Sequence, residues 1–174
     1  MAFPTADILY FADYKWFQWH SAGVERKALG LSAVEVRERF ENFAGEKATI
    51  YSSGNLIGAN DVHMLRNADK QGISTAQDSI CTGFNSGYQV VNIAALAGAA
   101  KIVLLGYDAK EGTKRRKHFF GDHPDNSAAP YEAMRRSFRL ARPLLDAIGV
   151  KVINATPGSA LDAFDRMALD EAIQ

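Results

Sequence analysis

Apolar residues in the second half of the chain follow two kinds of pattern. Residues 86–97 and 130–148 carry them at helical spacing, and a glycine follows each segment, so both predict helices. The runs KIVLLG (101–106) and VKVINA (150–155) are almost continuously aliphatic, which is typical of strands buried on both faces. Helices that alternate with such strands predict an α/β fold with a mainly parallel sheet.

The first half carries a weaker form of the same pattern. It predicts strands at residues 7–12, 48–51 and 62–65, and helices at residues 14–20 and 34–43. Residues 66–82 and 109–129 are polar and are interpreted as loops. A short helix is expected at residues 159–164, and Pro143 is expected to kink the helix at residues 130–148.

Composition narrows the class of protein. The 174 residues are 47% hydrophobic, which suits a single domain, 1–174, with one core. Twenty basic residues balance twenty acidic ones, so we expect neither nucleic acid nor a membrane surface as a partner. The start, MAFPTAD, lacks the pattern of a secretory signal, and the lone Cys81 fits a reducing cytoplasm. We therefore predict a cytoplasmic protein.

Polar residues follow several predicted strands. Asp13, Gly106-Tyr107-Asp108 and Thr156-Pro157-Gly158-Ser159 come directly after strands, and parallel sheets bind ligands at that edge. The predicted helix at residues 86–97 opens with Gly83, Asn85, Ser86 and Gly87, whose free N–H groups would attract an anion. A plain helix N-cap at Asn85 or Ser86 explains the same residues equally well.

A basic run and two histidines fill the long polar loop. KEGTKRRK (110–117) has five bases and one acid, which fits either phosphate binding or a solvated surface. HFFGDH (118–123) has three interpretations. His118, Asp122 and His123 could bind zinc together with Asp108; one histidine could act as a general base beside Asp122; or the loop is merely polar. The residues alone leave these alternatives open.

Several of these motifs occur in an order that resembles a known family. They are GFNSG (83–87), IVLLGYD (102–108), the histidine loop and TPGSAL (156–161). The set resembles a group of phage and prophage proteins with a Rossmann-like domain. It is similar, more distantly, to bacterial sialyltransferases that use a CMP-sugar. The match covers roughly residues 82–165, and ADILYFADYKW (6–16) also resembles the phage group.

The resemblance implies a three-layer Rossmann-like fold and a role for each matching residue. Asn85, Ser86 and Gly87 would contact the nucleotide, and Asp108 would lie beside the donor. His123 takes the place of the general base, with Asp122 as its partner and His118 in support. Pro157 and Ser159 match a further nucleotide contact. Together with the strand-end, helix-start and basic-loop residues, these matches give a predicted ligand-binding set of Asp13, Gly83, Asn85, Ser86, Gly87, Asp108, Lys110, Arg115, Pro157 and Ser159.

The chain also departs from the sialyltransferase pattern. We expect it to lack the first βα unit, whose G-x-G-P-S turn binds the nucleotide in that family. The tyrosines that help the phosphate leave are missing, and Lys110, Lys114 or Arg115 would have to replace them electrostatically. HFFGDH also has one more residue between its glycine and His123 than the family has.

The leading hypothesis is a glycosyltransferase-like protein of a bacterial host's cytoplasm that binds a nucleotide-sugar and needs no cofactor or metal. One alternative is a non-catalytic phage module of the same fold that binds a nucleotide or a protein. The other is pyrophosphoryl transfer, as in diphosphokinase-like relatives, with Mg²⁺ held by Asp13 and Asp108. The resemblance also implies a homo-oligomer, because a chain that lacks one edge of its sheet would pair to cover it.

Overall fold

The computed structural model describes residues 6–25, 30–51, 61–112 and 130–174. The chain divides into two compact units, Met1–Arg66 and Asn67–Gln174. The boundary falls within one strand, Val62–Asp69, which begins in the first unit and ends in the second. Each unit is described below by itself.

Within the described part of the first unit lie two complete strands, two helices and the start of a third strand. These are β1 (Ile8–Phe11), α1 (Tyr14–Ala22), α2 (Ala33–Glu41), β2 (Glu46–Ile50) and β3 (Val62–Asp69). β1 pairs with β2 and β2 with β3, both in parallel. Parallel pairing needs a long crossover, which α1 and α2 supply between β1 and β2. The core is aromatic: Phe11 stacks on Trp16, with 5.2 Å between the ring centroids, and packs edge-on against Phe40.

The second unit alternates strands and helices. Its elements are β4 (Ser79–Cys81), α3 (Ser86–Leu96), β5 (Lys101–Leu104), α4 (Tyr131–Ala147), β6 (Lys151–Asn154), β7 (Asp165–Arg166) and α5 (Leu169–Ala172). β5 pairs with β6 and β6 with β7, again in parallel. The strand orders of the two sheets are β1-β2-β3-β4 and β5-β6-β7.

Aromatic and aliphatic side chains from helices and strands form the main core of the second unit. Tyr88 of α3 and Leu145 of α4 are fully buried, and Leu104 of β5 is 2% exposed. Phe138 of α4 lies between them, with its ring centroid 5.1 Å from that of Tyr88. Apolar residues at helical spacing on α3 and α4 therefore pack against the aliphatic strands, as the sequence pattern predicts.

The fold class is confirmed as α/β with parallel pairing of strands, as in Rossmann-like folds. The predicted helices at residues 86–97 and 130–148 correspond to α3 and α4. The predicted strands at 101–106 and 150–155 correspond to β5 and β6. α4 continues through Pro143. The single domain and the missing first βα unit stay predictions. None of the helices in the described ranges is long and apolar enough to cross a membrane.

Two predictions about local structure are wrong. Residues 66–82 are not simply a loop, because β3 continues to Asp69 and Ser79–Cys81 form β4. The polar end of β3 is exposed on both faces, so it lacks the alternation that identifies a strand. Residues 159–164 are not a helix; the chain runs irregularly to β7, and the last helix is α5. The hydroxyl of Ser159 accordingly does not cap a helix but bonds to its neighbours, as described below.

Candidate functional site

Three turns of the second unit carry most of the predicted ligand-binding residues. They are residues 82–87 between β4 and α3, residues 105–110 after β5, and residues 155–161 after β6; we call them together the rim. β5 and β6 are parallel strands of one sheet, so the turns that follow them lie at the same edge, which is where α/β proteins bind their ligands. The hydroxyl of Tyr107 bonds to Gly87 and so brings the turn before α3 to that edge.

Asn85 organises the first turn of the rim. It is the N-cap of α3, where its Oδ1 accepts the N–H of Tyr88 at 2.8 Å and its Nδ2 donates to the carbonyl of Gly83 at 3.0 Å. The capping interpretation of the sequence is therefore confirmed for this side chain. The first N–H groups of a helix have no acceptor within it, and those of Ser86 and Gly87 bond to no acceptor in the described part of the chain, so they can meet a ligand or water.

Tyr107 joins all three turns. Its hydroxyl donates to the carbonyl of Gly87 at 3.0 Å, and its backbone N–H donates to Oγ1 of Thr156 at 2.9 Å. Its backbone carbonyl accepts the hydroxyl of Ser159 at 2.5 Å. A Cβ on Gly87 would lie 2.8 Å from the Tyr107 ring, so only glycine allows this close approach. Tyr107 thereby holds the start of α3 beside the ends of β5 and β6.

Burial favours the protonated form of the Tyr107 hydroxyl, which can donate a hydrogen bond. Desolvation raises the pKa of Tyr107 to about 12, because the phenolate would lose its hydration in this environment. The hydroxyl therefore remains protonated at any physiological pH and serves as a fixed donor to Gly87.

A buried amide organises the third turn. Asn154, at the end of β6, is 1% exposed. Its Nδ2 donates to the hydroxyl of Ser159 at 3.0 Å, and its Oδ1 accepts the N–H of Thr156, also at 3.0 Å. The hydroxyl of Ser159 also accepts the N–H of Leu161 at 3.0 Å. That hydroxyl is thus fully engaged by the fold, and only the backbone of this turn faces outward at the exposed Pro157 and Gly158.

The charged residues of the rim differ in how they are engaged. Asp108 is exposed and has no side-chain hydrogen bond or ion pair with the residues that the structure describes. The ammonium of Lys110 donates to the carbonyl of Gly158. Arg135 of α4 donates to the carbonyl of Ala109 at 2.8 Å, which ties the second turn to the helix behind it. The rim therefore presents one carboxylate and one lysine close to exposed backbone.

The structure brings together part of the set expected from the sequence. Gly83, Asn85, Ser86, Gly87, Asp108, Lys110, Pro157 and Ser159 all belong to the rim. Asp13 belongs to the first unit, where it is the N-cap of α1 and accepts the N–H of Lys15 at 2.8 Å. Arg115, His118, Asp122 and His123 lie outside the described residues, as does Lys114.

The sequence did not identify three residues that build the rim. Asn154 could have been noticed in the sequence, because it is a polar residue directly after the aliphatic Val152 and Ile153 of its strand. Tyr107 was noted only as part of a strand end, and its links to Thr156 and Ser159 join residues 49 and 52 positions apart. Arg135 is one of four arginines in α4, and nothing in the sequence distinguishes it from the others.

Metal binding has no support from the described residues, among which no group of three or more histidine, cysteine, aspartate or glutamate side chains could hold an ion. The zinc alternative depends on His118, Asp122 and His123, so it stays a prediction. Cys81 is buried in the main core, and burial raises the pKa of its thiol. This environment agrees with a packing role.

Comparison of the chain with protein-family models, curated proteins and solved structures finds no match.

Proposed function

We propose that the second unit binds the phosphate part of a nucleotide or nucleotide-sugar at the rim. The observation that carries this proposal is the set of hydrogen bonds made by Tyr107, which hold the start of α3 beside the ends of β5 and β6. Free N–H groups at Ser86 and Gly87 and the positive end of the helix dipole favour a bound phosphate. The ammonium of Lys110 adds a positive charge to the same rim.

The proposed reaction is glycosyl transfer. His123 takes the proton from an acceptor hydroxyl, whose oxygen then attacks the anomeric carbon of the bound sugar. The bond from that carbon to the nucleotide phosphate breaks, and the phosphate leaves with the electron pair. Asp122 would orient His123, and His118 would support the loop. This catalytic half rests on the sequence and on the family resemblance, whereas the binding half also has the geometry of the rim in its favour.

Calorimetry and a transfer assay test the two halves separately. Titration with CMP, CDP, UDP and nucleotide-sugars should show binding of at least one of them, and no binding by any would refute the proposal. His123→Ala should abolish transfer without weakening nucleotide binding. His63→Ala is the matched control, because His63 lies on β3 in an exposed pair with Glu46 and should be dispensable.

A non-catalytic nucleotide-binding protein is the second candidate. It is favoured by the side chains of Asn85 and Ser159, which make hydrogen bonds within the fold rather than facing a ligand. In this case nucleotide binds without any transfer, and His123→Ala changes neither property. ATP consumption that depends on Mg²⁺ would instead indicate pyrophosphoryl transfer, for which Asp108 offers an unpaired carboxylate among the described residues.

A further inference from the structure

Phe84 is an aromatic residue whose position the fold does not explain. It lies in the first turn of the rim, and 43% of its surface is exposed. Its φ is +64°, in the left-handed region that glycine and asparagine occupy readily and that other residues adopt at a cost in free energy. The side chain therefore adds strain to the turn while burying only part of its ring.

Left-handed backbone at residues other than glycine is concentrated on the rim. Among the described residues it occurs at Phe84 and at Ala109, and both belong to the rim. Strained backbone persists where the surrounding structure enforces it, and it is found preferentially at ligand sites. The two residues with left-handed backbone therefore lie at the edge of the fold where Tyr107 joins the three turns.

The usual structural roles of an aromatic residue before a helix do not apply to Phe84. In a hydrophobic staple the residue before the N-cap packs on an apolar residue in the first turn, but here that position holds the polar Gln89. Phe84 is also absent from the core around Tyr88 and Phe138, and it stacks on no aromatic ring among the described residues. Its ring is thus free to contact a planar partner.

We propose that Phe84 stacks on the base of a nucleotide bound at the rim. This contact gives the rim a higher affinity for nucleotides than for phosphate compounds that lack a base. The inference rests on the proposed function, to which it adds the part of the ligand that is recognised. An exposed aromatic ring offers a face on which any base can stack. Because Phe84 directly precedes the N-cap, the stacked base lies next to a phosphate at the first turn of α3.

Phe84→Asn tests the role of the ring without disturbing the turn, because asparagine tolerates a left-handed φ. Calorimetry should compare CMP, UMP, AMP and GMP with ribose 5-phosphate, which lacks a base. We expect the wild type to bind at least one nucleotide more tightly than ribose 5-phosphate. The variant should lose about 5- to 100-fold in affinity for that nucleotide, the range measured for single stacked bases. Its affinity for ribose 5-phosphate should not change.

Two controls separate stacking from a structural role. Phe84→Tyr keeps an aromatic face and should retain nucleotide affinity. Leu140→Gln removes an equally exposed apolar side chain, also 43% exposed, from α4 and should leave binding unchanged. The melting temperature of Phe84→Asn should equal or exceed that of the wild type, since the ring adds strain and little burial; a fall would indicate that the ring stabilises the fold.

The outcomes distinguish this inference from the proposed function. If the wild type binds none of the five compounds, and none of the nucleoside diphosphates and nucleotide-sugars named above, the proposed function fails, and the role of Phe84 fails with it. If the wild type binds a nucleotide and Phe84→Asn binds it equally well, only the role of Phe84 is refuted. A parallel loss of affinity for ribose 5-phosphate would also refute stacking, because a base-free ligand cannot report on it.

Discussion

Tyr107 shows how one residue can connect several turns at one edge of a fold. Its side chain reaches α3, while its backbone N–H and carbonyl engage the turn after β6. Each of these bonds is partly buried, where a polar group without a partner costs more free energy than it does in water. Tyr107 therefore contacts all three turns of the rim, while the ammonium of Lys110 and the N–H of Ala160 add further bonds between the second and third turns.

Tyr107→Phe should separate the stability of the fold from the function of the rim. Loss of its hydroxyl removes one hydrogen bond to Gly87 and should lower the free energy of unfolding by about 1 kcal/mol in urea titrations. Because the start of α3 is then less firmly held, nucleotide affinity should fall by up to about fivefold, which corresponds to the same free energy.

The matched control for this variant is Tyr88→Phe. The Tyr88 hydroxyl donates at 2.6 Å to the carbonyl of Gly72, a residue outside the three turns of the rim. We expect a similar loss of stability with no loss of nucleotide affinity. Equal affinity losses in the two variants would contradict the role assigned to Tyr107.

At the scale of elements, α3 shows two different uses of glycine at its ends. Gly83, before the helix, has a φ of +53°, and a Cβ there would lie 2.0 Å from the ring of Tyr88. Gly98, after the helix, has a φ of +85° with no atom within 4 Å of the Cβ position. The first glycine is required by both conformation and packing, whereas the second is required by conformation alone.

Gly83→Ala and Gly98→Ala should therefore differ in severity. The Gly98 variant should lose about 1 kcal/mol of unfolding free energy, the usual cost of a side chain in left-handed backbone. The Gly83 variant must also displace the buried Tyr88 ring and should lose about 3 kcal/mol or more. Urea unfolding measures both, and equal losses would show that the turn adapts to the added methyl group.

α4 is stabilised by ion pairs on its polar face as well as by apolar packing on its other face. Arg139 makes two bonds of 2.9 Å with the carboxylate of Asp162, and Arg142 pairs with Asp146. Arg139 holds the pKa of Asp162 below its usual value, chiefly through its hydrogen bond to the carboxylate. Since Asp162 lies in the irregular segment before β7, the pair positions a stretch that has no regular structure of its own.

At the scale of the whole molecule, desolvated tyrosines, among them the buried Tyr88 and the partly buried Tyr107, make the free energy of unfolding fall at high pH. Desolvation raises the pKa of both Tyr88 and Tyr107 to about 12, from an ordinary value near 10. Between these values the unfolded chain releases protons that the folded chain retains. The stabilisation is therefore complete below about pH 10 and is lost as the pH rises towards 12.

The stability difference between wild type and Tyr107→Phe should accordingly shrink as the pH rises. Above about pH 10 the wild type loses about 1.4 kcal/mol per pH unit on account of this one group, and the variant does not. Urea unfolding at pH 8, 10 and 11 measures the difference, and groups common to both proteins cancel in it. A constant difference across this range would show that the hydroxyl is not protected from ionisation.

The sequence by itself determined the elements that depend on residues close together in the chain. Aliphatic runs and helical spacing predicted β5, β6, α3 and α4, and the residue type at Asn85 predicted a cap, because these features depend on residues a few positions apart. The same reasoning failed at the polar end of β3, where no apolar alternation marks the strand.

Only the tertiary structure decided how the rim is assembled. In the folded chain the hydroxyl of Ser159 bonds to Tyr107 and Asn154, and Arg135 bonds to the carbonyl of Ala109. Phe84 is exposed and has a strained backbone conformation. The Tyr107 and Ser159 partners lie 52 positions apart in the chain, so no local pattern records that they meet. These distant contacts determine which polar groups bond within the fold and which remain available to a ligand. The physical reason is that a buried polar group needs a hydrogen-bond partner, and the folded chain can provide one from any part of the sequence.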